Sequence, residues 1–378
     1  MSPALRLGVL GFGMIAVCYG FARFAFGLFL AEVDADLSLG STQAGVISGG
    51  SFFGYCIAIV ASASMTERVG PRAVAVGAAL VAAVGMAGIA VAPNPQVLAA
   101  AVLLAGSSTG LASPPMATAV AAAVRRDRQD ATNTVINAGT GAGVALSGPI
   151  ALAIGGQWRL AFAGFAAVAV VLAVAAAFVM PKAGSATAVT HGLPPVSGAL
   201  LRLVGATFLM GAASTALWSF GGKLAMAQLG WGAAGVGMLW TAIGVGGIAG
   251  ACAGALVGRF GIGRVHWAFL CAMSAGILAV GSAFATPAAA LAGGALFGAS
   301  YVMLTGVYLV WGVAAVPDRP ATGLMVGFLT IAVGQTAGAP VFGLLMDNLG
   351  AGFAVTTFAA LGLAAGMART GWTPAHAH

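Results

Sequence analysis

Apolar residues run through this chain in long blocks, and polar residues serve mainly as punctuation between them. Twelve blocks reach the length of about 20 residues that a helix needs to cross a bilayer. Their approximate limits are residues 7–30, 41–62, 73–92, 96–122, 132–155, 160–180, 200–222, 231–256, 265–285, 288–315, 322–346 and 351–369. Turn residues and charges separate them, among them Pro93-Asn94-Pro95, Arg125-Arg126-Asp127-Arg128, Thr286-Pro287 and Pro317-Asp318-Arg319-Pro320. Apolar–polar alternation of strand length does not recur, so the pattern predicts spanning helices rather than a barrel. The first block, Leu7 to Leu30, is too long for a secretory signal and is followed by many like it; it is read as the first span.

Composition agrees with the pattern. Hydrophobic residues make up 60% of the 378 positions and charged ones 6%, where a soluble domain carries about 25% charged residues. The chain is therefore expected to be an all-α, multi-pass protein of the inner (cytoplasmic) membrane, with the lipid bilayer as its first partner. The net charge of +7 does not point to nucleic acid, because of where the charges lie. With the N-terminus inside, twelve of the fifteen Lys and Arg fall on the cytoplasmic side; Arg159 and Lys223 fall outside, and Arg23 lies within a span. That asymmetry fixes the orientation, and the even count puts both termini in the cytoplasm. The four cysteines, Cys18, Cys56, Cys252 and Cys271, sit in apolar runs without metal-ligand spacing. No metal and no cofactor is expected.

The longest loop, PKAGSATAVTHGLPPVS over residues 181–197, falls at the middle of the chain. It reads as a cytoplasmic linker, with His191 solvated, between halves at residues 1–180 and 198–378. The halves match at a constant offset of 191 positions: Arg68 and Gly70 with Arg259 and Gly261, Asp127-Arg128 with Asp318-Arg319, Gly148-Pro149 with Ala339-Pro340, and Phe162 with Phe353. Four sets in register, each at the same place in the topology, predict two parallel six-helix repeats.

These features together resemble the major facilitator superfamily over the whole chain. The second-to-third span loop of that family, Gly-x-x-x-Asp-Arg-x-Gly-x-Arg, is similar to Ala63-Ser64-Met65-Thr66-Glu67-Arg68-Val69-Gly70-Pro71-Arg72 here, with a second copy ending in Gly258-Arg259-Phe260-Gly261-Ile262-Gly263-Arg264. Trp158-Arg159-x-x-Phe162 also resembles the family. A turn this tight needs a residue tolerant of positive φ, hence Gly70 and Gly261. The resemblance implies gating roles for Glu67, Arg68, Gly70, Arg72, Asp127, Arg128, Arg259, Gly261, Asp318 and Arg319. In it Glu67 faces the positive end of the eleventh span and locks the outward-open state; the alternative is that Glu67 and Arg68 are solvated loop charges. Gly148-Pro149 inside the fifth span resembles an exporter motif, and a simple packing kink explains it equally well.

Arg23 is the one cation placed away from the ends of a span. It lies roughly seven residues before the outer end of the first block, about 10 Å deep at 1.5 Å per residue. Two readings stand. Its side chain could snorkel toward Glu32, Asp34 and Asp36 beyond the helix end. Alternatively it faces a cavity and binds an anion, since no span supplies an acid at its depth. At α-helical spacing Tyr19, Arg23 and Phe26 share its face. Asn133 and Asn137, Trp240-Thr241, Tyr301, Thr305 and Tyr308, and Gln335 are further polar candidates within spans. They are also ordinary interhelical hydrogen-bonding residues. Trp218, Trp231 and Lys223 are expected at the outer interface.

The expected function is secondary transport of a small-molecule substrate, an organic anion or polar metabolite, by alternating access; the competing expectation is proton-coupled efflux of amphipathic drugs. Proton coupling is common in the family it resembles, yet Val102 stands before Gly106 and Gly110 where many proton antiporters carry Arg. Asp34 and Asp347 remain as candidate carriers. A sensor role is disfavoured by the lack of room for a soluble module, and an enzyme by the lack of any His/Asp/Glu cluster at membrane depth. His266 lies at a cytoplasmic helix end, and His376 and His378 in the tail. The chain is expected to act as a monomer.

Overall fold

The computed structural model describes residues 2–181, 197–250 and 253–368. Residues 182–196 of the expected linker, with His191, and the tail histidines lie outside them. The described residues form helices and connecting turns, without a strand. Among the described residues, ten helical segments are long and apolar enough to span a membrane.

The first, α1 (Pro3–Leu28), is capped by the Ser2 hydroxyl and followed by the short α2 (Leu30–Leu37). The long α3 (Gly40–Val91) carries two spans, Gly40–Ser62 and Ser64–Val91, and turns at Gly70, whose φ of 83° and ψ of 159° are not helical. Then come α4 (Pro95–Ala123), α5 (Arg126–Ala153) and α6 (Trp158–Val179). The second half opens with α7 (Gly198–Trp218), the short α8 (Gly221–Leu229), and α9 (Ala233–Ala249) with α10 (Ala253–Phe260). It closes with α11 (Ile262–Gly281), α12 (Pro287–Ala315), α13 (Pro320–Leu349) and α14 (Ala351–Ala364).

The spans fall where the apolar blocks are, with two differences from the expected twelve. The eighth is a broken pair: α9 and α10 meet at 54°. The twelfth is the shorter apolar stretch Ala351–Met367. The duplication has a structural echo. Gly261 adopts φ 79° and ψ 154°, nearly the angles of Gly70. Asn94 and Thr286 each cap a helix whose first residue is proline, accepting from Val97 and Ala289 backbone N–H groups. Proline suits that position because its missing N–H has no intrahelical partner to lose.

The halves meet along α3 with α13 and along α5 with α9. Both seams hold a proline. Pro149 has no N–H, so the carbonyl of Ala145 four residues earlier loses its helical partner. The Thr241 hydroxyl of α9 lies 3.5 Å from that carbonyl while donating to Gly237 at 2.9 Å. Gly148 packs against the Gly237 backbone.

Candidate functional site

The site begins with an irregularity in α1. Residues Ala16–Phe24 are wound as a π-helix, a rare form found mostly as short bulges at functional sites. The wider winding breaks the α-helical phase on which Tyr19, Arg23 and Phe26 would share a face. Arg23 is turned inward and is 6% exposed. It does not snorkel. The three acids that could have received it are otherwise placed: Asp34 pairs with Lys223, Asp36 pairs with Arg159, and the Glu32 carboxyl lies beside the Gly156 turn.

Arg23 crosses the seam between the halves instead. Its Nη2 donates to Gln335 Oε1 of α13 at 2.7 Å. Gln335 is wholly buried, and its Nε2 donates to Ser214 of α7 and to the Tyr301 hydroxyl of α12, each at 3.2 Å. The guanidinium carbon lies 4.5 Å from the Tyr55 ring centre, 4.9 Å from Phe52, 5.2 Å from Phe24 and 5.8 Å from Tyr19. Ring faces attract a cation within about 6 Å. So the charge is held by one neutral carbonyl and four aromatic rings. Arg23 Nε is buried with no partner. Tyr19 is anchored through a 3.0 Å hydrogen bond to Ser113.

The structure thus brings Arg23, Tyr19, Tyr301 and Gln335 together. It does not bring in the other candidates. Phe26 is buried but is not among the rings around the guanidinium. Tyr308 packs toward the opposite end of the second half, 2.8 Å from His266 Nε2 and 3.4 Å from the Ala206 carbonyl. Trp240 is buried against Gly221. Asn137 is exposed on α5, one turn before Gly141, which packs on Gly244 of α9.

Trp218 is a correction. It is not an interface anchor but a buried wall of the site, stacked on Phe24 at 4.1 Å and edge-on to Tyr301 at 5.2 Å. The reason is the break after it. The chain leaves helical geometry at Phe220, so α7 ends with its last ring pointing into the bundle. Phe52, Tyr55 and Ser214 also went unrecognised. The signal that could have found Tyr55 is scarcity: the chain has four tyrosines, all within spans.

Above the site, toward the expected outer side, the halves are latched. Lys223 Nζ donates to Asp34 at 2.7 Å and to Ser41 at 3.0 Å, with both charged side chains 22% exposed. Ser48 donates to Ser219 at 2.6 Å. Asp347 of α13 accepts from the Ser41 and Thr42 backbone N–H groups and the Thr42 hydroxyl, capping the start of α3. These contacts occupy both acids considered as proton carriers, and Lys223 serves as a cross-half tie rather than a lone interface charge. Glu32, whose carboxyl is pushed above the usual range by burial, lies here too.

At the other end Glu67, Arg68, Arg128, Arg259 and Asp318 are exposed. Asp127 pairs with its neighbour Arg125 in solvent. Arg72 donates to the Met180 carbonyl of its own half at 2.6 Å, and Arg319 opens α13.

The comparisons agree with this architecture. Among curated protein sequences none matches the chain. A point mutant of the nucleoside transporter NupG superposes with a TM-score of 0.80 at 13% identity, covering 97% of this chain and 98% of that one. The xylose transporter XylE from E. coli, in a partially occluded inward-open conformation, gives 0.77 at 14% identity, with 97% and 98% covered. A bacterial homolog of the human lysosomal transporter Spinster, inward-facing and unoccupied, gives 0.70 at 15%, with 97% and 93% covered. The sequence model of the Major Facilitator Superfamily matches residues 12–338, and the chain belongs to that family.

Proposed function

We propose that this protein is a secondary transporter of small organic anions that works by alternating access, with Arg23 as the anion ligand. One observation carries the reading: a membrane-depth arginine, 6% exposed, whose polar partner is a neutral amide and whose Nε has none. A charge held this way favours a ligand that supplies negative charge. Trp218 Nε1, in the same aromatic wall, is also buried without a partner. An indole nitrogen only donates, so it too favours a ligand rich in acceptors. The aromatic rings suit the carbon skeleton of such an anion. They would suit a lipophilic drug as well, but Arg23 repels cationic ones.

The latched end of the bundle, taken as the outer side, corresponds to an inward-facing arrangement. In that arrangement Glu67 is exposed, which fits a lock made only in the outward-open state. The relatives by fold carry nucleoside and xylose in their names; they support small polar solutes as the general class.

The test is thermal unfolding of the purified protein, wild type beside Arg23→Ala, with organic anions, neutral solutes and lipophilic cations. A ligand at a hundred times its Kd stabilises by about 2.7 kcal/mol. Anions are expected to stabilise only the wild type. Equal stabilisation of both proteins by lipophilic compounds would make Arg23 structural and favour drug efflux.

A further inference from the structure

We propose that Gln335 is a built-in competitor for the anion at Arg23, and that this competition is what makes the site select anions over neutral acceptors. The inference rests on the reading of Arg23 as the anion ligand.

The argument starts from one edge of the guanidinium. Nε–H and one N–H of Nη2 point the same way and form a two-pronged donor that matches the two oxygens of a carboxylate. Two other arginines in this chain show that edge in use. Arg125 gives Nε and Nη2 to the two oxygens of Asp127, both at 3.1 Å. Arg159 gives Nε at 3.3 Å and Nη2 at 2.9 Å to a single oxygen of Asp36, Oδ2. At Arg23 the same edge is half filled. Nη2 is taken by the Gln335 carbonyl, and Nε is buried with no partner. A carboxylate gripping Arg23 as Asp127 and Asp36 are gripped must take the place of the Gln335 oxygen.

Gln335 is fixed for this role. Its amide nitrogen donates to Ser214 and Tyr301, which aims its carbonyl at Arg23. All three residues belong to the second half, and Arg23 to the first. The consequence is a threshold. A neutral carbonyl ligand exchanges one neutral acceptor for another and gains little. A carboxylate replaces one bond to a neutral acceptor with two bonds to an anionic one and wins. Gln335 thereby sets specificity by what it excludes.

The experiment uses acid–amide pairs, benzoate with benzamide and lactate with lactamide, titrated against the purified protein with melting temperature as readout. In the wild type the acids stabilise and the amides do not. Gln335→Met keeps the chain length and removes the competitor. It should bind the acid about tenfold more tightly, since a hydrogen bond to a charged group is lost from the competing state, and should now respond to the amide. Gln335→Glu ties Arg23 internally and should lose the response to both while melting higher without ligand. Weaker acid binding by Gln335→Met would make Gln335 a direct ligand and overturn the inference, as would unchanged selectivity. Should Gln335→Met not fold, the near-isosteric Gln335→Glu decides alone, and retained acid binding sinks the proposal. The Arg23→Ala arm reads the parent proposal separately: if no acid acts through Arg23, the anion reading falls and this inference with it.

Discussion

Arg23 and Arg159 present the same edge to two different worlds. Arg159, on the latched rim, grips the carboxylate of Asp36 and the carbonyls of Ala90 and Ala92, and about two-fifths of its side chain faces solvent. Arg23, deeper in the bundle, has one neutral amide and a cage of rings. The rim provides each of its paired cations with its own acid: Asp36 for Arg159 and Asp34 for Lys223. A cation neutralised within the fold is finished as structure. A buried cation left with neutral partners keeps its charge available to a ligand, and on the proposed reading that contrast separates scaffold from site.

The largest effect should come from Arg23 itself. Arg23→Lys keeps the charge but loses the planar fork, and a compact ammonium is more strongly hydrated. Anion affinity should fall by about tenfold or more, by thermal-shift titration, with the fold intact. Unchanged affinity would mean that charge alone matters and that the edge argument is wrong. Next comes the rim. A side chain at Gly27 would collide with the Trp218 carbonyl where α1 meets the end of α7. Gly27→Ala should therefore oppose closure of the rim, with a steric penalty of about 1–3 kcal/mol. Spin-label distances across the rim should lengthen, and transport should slow while Arg23-dependent binding persists. An unchanged distance distribution would show that the rim yields elsewhere.

Much of this was legible in the sequence, and the parts that were not share a cause. The apolar blocks placed the spans, because a bilayer demands long uninterrupted runs. Gly70 and Gly261 were legible as turns, because positive φ selects glycine. Arg23 and Gln335 were each conspicuous as polar residues in apolar runs. Their meeting was not, because they lie 312 positions apart and a one-dimensional pattern carries no rotation of one helix against another. The π-winding of Ala16–Phe24 was hidden as well, since its residues fit an α-helix equally well; it replaced Phe26 with Phe24 beside the guanidinium. Trp218 was misplaced because a tryptophan near a span end reads as an interface anchor until the helix break at Phe220 is known.

Arg159 supplies the middle-sized test of the opening contrast. Its ion pair is exposed, 41% and 47% on the two side chains, and exposed pairs contribute about 0–1 kcal/mol. Arg159→Ala should lower the melting temperature by no more than about 4 °C and leave anion binding untouched. Lost anion binding would erase the distinction between rim and site.

The smallest effect belongs to Glu32, a rim acid with neither a cation nor the backbone cap of a neighbouring helix to hold it among the described residues. Its Oε2 is buried and unpartnered, and burial raises its pKa above the ordinary glutamate range. An acid whose pKa is raised by folding binds protons more readily folded than unfolded. Its contribution to stability is therefore greatest below the ordinary range and declines as pH rises through the raised value. Glu32→Gln removes that penalty and should raise the melting temperature at neutral pH by about 1 °C. The gain should shrink as pH falls toward the ordinary glutamate range, where the native side chain is itself protonated. A lower melting temperature for Glu32→Gln at neutral pH would mean that the ionised carboxylate is stabilised on the rim, and Glu32 would join Asp34 and Asp36 as a structural acid.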